Sequence, residues 1–219
     1  MPDITLYFLQ ASRSIRTAWL LEELGVDYRL EFSERENKVK AAPAAFKQSC
    51  GDALGKFPTL KDGDLTLGES GAITEYLCEN YDEEHRLLPT EKKARAACQR
   101  WIHAAEATFA LHALGILYTR WFGGENPTSN KIEDGMSVNV QKDFDWLENE
   151  LKLSGTKFLV GETVTAADCM MHFSVQFILA RELGTKGKKW ERVEQWVKDC
   201  EATKGYKRAV EKSGYTLNP

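Results

Sequence analysis

Three stretches of this chain carry residues that could hold and activate an anionic ligand. Gly55-Lys56-Phe57-Pro58-Thr59-Leu60 reads as a strand entered through an X-Pro bond, and Gly68-Glu69-Ser70-Gly71-Ala72-Ile73 as the passage from a second strand into a helix. A helix N-terminus presents unsatisfied N–H groups and partial positive charge, so it attracts a carboxylate. Ser70 stands where an N-cap is expected and adds a hydroxyl. The peptide at Phe57 offers its own N–H and C=O beside a fixed turn. Together these groups suit a short, extended, anionic peptide. The third stretch, Ala11-Ser12-Arg13-Ser14-Ile15-Arg16, is the turn from a first strand into a first helix. A hydroxyl placed there can hydrogen-bond a thiolate and so lower the pKa of a thiol. Each residue alone has a plainer reading: Pro58 as an ordinary trans proline, Ser70 as a simple cap, Ser12 as a solvent-facing serine. Their order along the chain is what carries meaning.

That ordered set, with Ile73-Thr74-Glu75-Tyr76-Leu77 continuing the helix, resembles the glutathione-binding half of the glutathione transferase superfamily. The segment Ser12-Arg13-Ser14-Ile15-Arg16, followed by Trp19-Leu20-Leu21-Glu22-Glu23-Leu24-Gly25, is similar to its serine-type, theta-like members from fungi and bacteria. The resemblance implies a cis Pro58, a Phe57 backbone that pairs with the cysteinyl unit of glutathione, and a Glu69-Ser70 pair that holds its γ-glutamyl end. It also implies a catalytic serine four residues before Arg16, which is Ser12. Ser14 is the alternative and stands well to cap the helix; Tyr7 is a more distant one, since other classes use a tyrosine at the end of this strand. The glycine carboxylate of glutathione needs a cation, for which Lys56, Lys47, Lys40 and Arg13 all remain open. Two departures affect this pocket: the link over residues 48–53 is longer than in many relatives, and Phe57 replaces a small β-branched residue.

The bulk properties narrow the function classes. The chain has 219 residues and a formal net charge of −4, which suits one or two domains and argues against nucleic acid as a partner. No apolar stretch approaches the roughly 20 residues of a membrane helix, and neither terminus shows a targeting signal. The 5 cysteines are scattered without any C-x-x-C, as expected of reduced thiols, and with the 4 histidines they show no metal-ligand spacing. A cytoplasmic protein without metal or bound cofactor is expected, with glutathione as co-substrate.

The elements that position these residues follow from periodicity. Residues 4–9 read as a buried strand, and Thr17, Leu20, Leu21 and Leu24 recur at helical spacing up to a Gly25 C-cap. A strand over 27–32 and a weak helix over 38–47 follow. Asp62-Gly63-Asp64 marks a hairpin between strands at 57–60 and 65–67, and a helix runs to about Tyr81. This is a thioredoxin-like domain, 1–81. Residues 82–90 read as a linker, and 91–219 as an all-helical bundle domain: helices over 91–121 and 132–153, one holding Ala167 to Ile178, and shorter ones around 190–196 and 206–210, with a possible short strand at 157–160. Gly161-x-x-x-Thr165-x-x-Asp168 reads as a helix-start element whose role is folding, an element this superfamily also carries.

The resemblance implies a glutathione transferase. It would conjugate glutathione to small electrophiles, with hydroperoxide reduction as a possible side activity, act in detoxification and form a homodimer. Phe109, His112 and Tyr118 are the candidates to line a second-substrate pocket. The rival readings are a glutathione-dependent disulfide reductase and a non-catalytic glutathione-binding regulatory or scaffold protein.

Overall fold

The computed structural model describes residues 3–36 and 41–217. The chain divides into two compact units, Met1–Lys92 with Glu201–Pro219, and Lys93–Cys200.

The first unit is built on a four-stranded sheet of order β2-β1-β3-β4, with β1 Ile4–Leu9, β2 Arg29–Ser33, β3 Thr59–Asp62 and β4 Leu65–Leu67. β1 pairs parallel to β2 and antiparallel to β3, with Leu6 opposite both Leu30 and Leu60. The parallel pair is joined by helix α1, Ser14–Leu24, and the antiparallel pair β3–β4 by the Asp-Gly turn. Ile4, Leu6 and Phe8 are buried on alternate positions, and Ile15, Ala18 and Leu21 of α1 and Ile73 and Leu77 of α3, Ser70–Tyr81, add to the core. Helix α2 is short, Ala44–Ser49, and starts one residue after Pro43, whose fixed φ suits a helix entry. The expected helix at 38–47 therefore lies further along the chain; residues 37–40, Lys40 among them, lie outside the described residues.

The stretch read as a linker is a built turn. The buried Asp82 carboxylate accepts from the N–H groups of Arg86, Leu87 and Leu88, and both leucines are buried.

The C-terminal residues, which the sequence groups with the helical domain, pack within the first unit. Helix α9, Lys204–Ser213, lies on α1, with the Tyr206 ring edge-on to Trp19 at 5.3 Å and Arg208 Nε donating to Glu22 at 2.9 Å. Beyond it, Tyr215 meets Phe8 edge-on at 6.3 Å.

The second unit is helical. Its first helical path runs as α4 Lys92–Ala104, a wider-turned π segment Ala105–Ala110, α5 Leu111–Tyr118 and a second π segment Thr119–Gly123. The sequence predicts one unbroken α-helix here; the wider turns leave carbonyls to other donors, and Ser174 Oγ donates to Ala105 O at 2.8 Å. Helix α6, Pro127–Ser154, begins five residues before the expected start, because Asn126 caps Thr128 and Ser129 N–H with its side chain and Pro127 fills the first turn. Helices α7, Ala166–Ala180, and α8, Glu191–Glu201, complete the unit. No strand forms at 157–160, only an isolated bridge between Phe158 and Gly161.

Several hydrogen bonds converge at the start of α7. Thr165 and Asp168 form a capping box, and the fully buried Asp168 carboxylate also accepts from Leu159 N–H and Trp196 Nε1. Burial raises its pKa, against the pull of those hydrogen bonds.

Candidate functional site

The Ser12 turn leaves β1 at Leu9 and enters α1 at Ser14. Ser12 Oγ lies 2.7 Å from Leu9 O and 2.9 Å from Ser14 Oγ, so its single proton has two acceptors, and it accepts from Ser14 N–H at 3.1 Å. Ser14 Oγ in turn accepts from Leu9 N–H at 3.3 Å. The two serines differ in access: Ser12 retains 6% exposure and Ser14 has 0%. Ser14 does not cap α1. The N-cap is Arg13, whose side chain makes no cap bond, and the hydroxyl that satisfies a first-turn N–H belongs to Ser12. Arg13 is half-buried.

Ser70 likewise stands one position inside its helix. The N-cap of α3 is Glu69, at φ 63 with its side chain exposed and making no cap bond. Ser70 is buried, and its Oγ accepts from Arg16 Nη1 at 3.0 Å. Arg16 is itself 1% exposed. A buried guanidinium and a helix N-terminus therefore meet at one hydroxyl, and both favour an anion there. Sequence reasoning assigned Arg16 no role. Its signal was a cation one turn before Leu20, on the buried stripe of α1.

Phe57–Pro58 is a cis peptide bond, as the resemblance implies. The Phe57 ring stacks on Phe46 of α2 at 4.7 Å, and Phe46 reaches Tyr7 at 5.8 Å, so this aromatic residue is absorbed by a ledge that α2 supplies. Tyr7 accepts from Lys61 Nζ at 3.2 Å. The longer link before Gly55 closes on the site's edge: a Cβ on Gly68 would lie 2.8 Å from Asp52 Oδ1, so Gly68 makes room for that carboxylate. Lys47 and Lys56 are both exposed and flank Gly55, whose Cβ position is 2.9 Å from Lys47 Cβ.

The three residues expected around a second substrate are not gathered into one place. Phe109 is in the core of the second unit, 5.7 Å from the Phe144 ring and 6.2 Å from Trp146. His112 is half-buried with Nδ1 3.9 Å from Asp143 Oδ2. Burial pushes the Asp143 carboxyl up to about 6, against the opposing charge of His112. Tyr118 is 51% exposed and clusters with Trp121 at 5.8 Å and Phe122 at 6.2 Å.

The chain matches the family description "Glutathione S-transferase, N-terminal domain" over residues 2–79 and "Glutathione S-transferase, C-terminal domain" over residues 129–204. It is 28% identical to glutathione S-transferase 3 of Schizosaccharomyces pombe, over 89% of this chain and 81% of that one. A solved glutathione S-transferase from Actinobacillus pleuropneumoniae is 30% identical with a TM-score of 0.82, covering 98% of this chain and 94% of that one. A transferase homologue from Lodderomyces elongisporus, solved with two glutathione molecules per subunit, shares the fold at a TM-score of 0.75 and 20% identity, covering 97% of this chain and 99% of that one.

Proposed function

The chain belongs to the glutathione S-transferase family, and on that premise we propose that Ser12 is the hydroxyl that stabilises the glutathione thiolate. The observation that carries this is the difference in exposure within one hydrogen-bonded pair: Ser12 retains 6% and Ser14 none. A free thiol near pKa 8.5 is only slightly ionised at neutral pH; lowering it by about two units makes most of it thiolate, worth roughly 2.7 kcal/mol. When the Ser12 proton turns from Leu9 O toward sulfur, the Ser14 hydroxyl can donate to Ser12 Oγ across the 2.9 Å gap and strengthen it as a donor. Ser14 is thus the second member of a relay, not a rival.

Glutathione lies along the edge formed by Phe57 and the start of α3. The Phe57 backbone pairs with the cysteinyl unit, while Ser70, held by Arg16, and Glu69 take the γ-glutamyl carboxylate and amine. Lys47 or Lys56 meets the glycine carboxylate. The thiolate then attacks a small electrophile and, as a side reaction, reduces organic hydroperoxides; the family relationship supports a detoxifying homodimer in the cytoplasm. Glutathione calorimetry on the wild type and Ser70→Ala, with conjugation of an aryl halide in parallel, tests this placement. Weakened binding and activity in Ser70→Ala are expected. Binding without conjugation by the wild type would favour the regulatory reading, and glutathione-disulfide exchange in its place the reductase reading.

A further inference from the structure

The turn that carries Ser12 is fixed from outside itself. Ala11 sits at φ 52, a left-handed conformation that a non-glycine residue keeps only when its surroundings hold it. Both of its peptide groups are held. Its N–H donates to Gln10 Oε1 at 2.9 Å, and its C=O accepts from Arg35 Nη2 at 3.1 Å. Arg35 Nε also donates to Gln10 O at 2.7 Å, and Gln10 N–H donates to Ser33 O at 2.9 Å, which ties the turn to the end of β2.

Gln10 is 3% exposed, and among the described residues its side-chain amide serves backbone groups. Besides the Ala11 N–H, Oε1 accepts from Thr216 N–H at 3.1 Å, while Nε2 donates to Gly214 O at 2.9 Å. Gly214 closes α9 in the left-handed conformation, so α9 fixes where the tail begins. One buried amide therefore joins the strained peptide before Ser12 to the far end of the chain. Its size and both polar atoms are used: leucine has the bulk without the bonds, and glutamate keeps the acceptor but not the donor.

We propose that Gln10 is a positioning residue for the Ser12 hydroxyl, and that the tail at Gly214–Thr216 acts on the thiolate through it without touching the ligand. This rests on the reading of Ser12 above. Freed from Gln10, the Ala11 peptide relaxes toward an ordinary conformation and carries Ser12 Oγ out of register with the sulfur, where small displacements weaken a hydrogen bond steeply.

The test measures the thiol pKa of bound glutathione from thiolate absorbance, its dissociation constant, and kcat/KM against pH. The proteins are wild type, Ser12→Ala, Gln10→Leu, Gln10→Glu, a chain ending at Gly214, and Gln10→Leu in that shortened chain. Gln10→Leu and the shortened chain should each lower kcat/KM at pH 6.5 by about threefold or more through a raised thiol pKa, with glutathione affinity within about twofold. Gln10→Glu should fall between them and the wild type, and the combined variant should be no worse than Gln10→Leu alone. A purely structural role would lower the melting temperature and leave the thiol pKa in place. If Gln10→Leu does not fold, Gln10→Glu and the shortened chain decide by the same criterion. A raised pKa in Ser12→Ala alone would overturn the proposal and leave Ser12 standing. An unchanged pKa in Ser12→Ala would remove the reading of Ser12 and the proposal with it.

Discussion

Replacing Asp168 by alanine removes the acceptor on which the start of α7 is built. The carboxylate takes Thr165 N–H at 2.9 Å, Thr165 Oγ1 at 2.9 Å, Leu159 N–H at 3.0 Å and Trp196 Nε1 at 2.9 Å. The Thr165 hydroxyl can turn to another acceptor, and the part-buried Leu159 N–H can find water. Thr165 N–H and Trp196 Nε1 are buried and would be stranded, at about 1–3 kcal/mol each. The Thr165 hydroxyl still accepts from the N–H of residue 168, so no separate cap loss is added, and removing a desolvated carboxylate returns part of the sum. The net cost is about 3 kcal/mol, a large share of the 5–15 kcal/mol that holds a typical domain. At roughly 2–4 °C per kcal/mol for a chain of this size, the melting temperature should fall by about 6–12 °C. Asp168→Asn keeps one acceptor oxygen and should lose about half as much. Trp196→Phe removes one donor and should cost less in the Asp168→Ala background than alone, because the indole N–H is already unpaired there. Far-UV circular dichroism during thermal unfolding reads the wild type and all four variants. A melting temperature for Asp168→Ala within 2–3 °C of the wild type would show that the buried carboxylate does not organise this unit.

Three further outcomes follow from the same geometry. Arg16→Met deletes the charged hydrogen bond to Ser70 Oγ and should weaken glutathione binding roughly tenfold by calorimetry, the worth of one such bond; unchanged affinity would remove Arg16 from the site. Asp143 has its folded pKa raised from 3.8 to about 6, so its contribution to stability is full below the unfolded value and is lost as pH rises through about 6. Asp143→Asn should therefore raise the melting temperature at pH 8 and lose that gain as the pH falls through about 6 toward 4, and a gain independent of pH would contradict the cause given. Gly184 sits at φ 77, and a Cβ there would lie 2.8 Å from Ile116 Cδ1 and 3.1 Å from Ser137 Cα. Gly184→Ala should cost about 2–3 kcal/mol in urea unfolding.

What the sequence showed is what local patterns can show. The apolar run of β1, the Asp62-Gly63 hairpin and the Gly25 C-cap each write their own geometry into a few adjacent residues, and the structure forms them in place. The order of Pro58, Glu69 and Ser70 gave the ligand class because the turn and the helix start are both short-range features. What it missed depends on distant partners. Tyr206 reads as an aromatic on a short amphipathic helix, and only its contact with Trp19 shows that the C-terminal residues complete the first unit. Ser70 reads as a cap until Arg16 takes its hydroxyl. Phe109, placed on one long helix with His112 and Tyr118, turns into the core across a π segment that α-helical spacing does not anticipate. Gln10 is a polar residue after a strand until the tail, some two hundred residues later, closes on its amide. The early start of α6 was legible, since Asn126-Pro127 is a cap followed by a first-turn proline.

The central claim is that the Ser12 hydroxyl holds the glutathione thiolate, with Ser14 behind it. Its most direct test is the thiol pKa of bound glutathione in wild type, Ser12→Ala and Ser14→Ala. The wild type should sit about two units below a free thiol, Ser12→Ala should recover most of that difference, and Ser14→Ala about half a unit. A wild-type value in Ser12→Ala, or a larger rise in Ser14→Ala than in Ser12→Ala, would contradict the assignment.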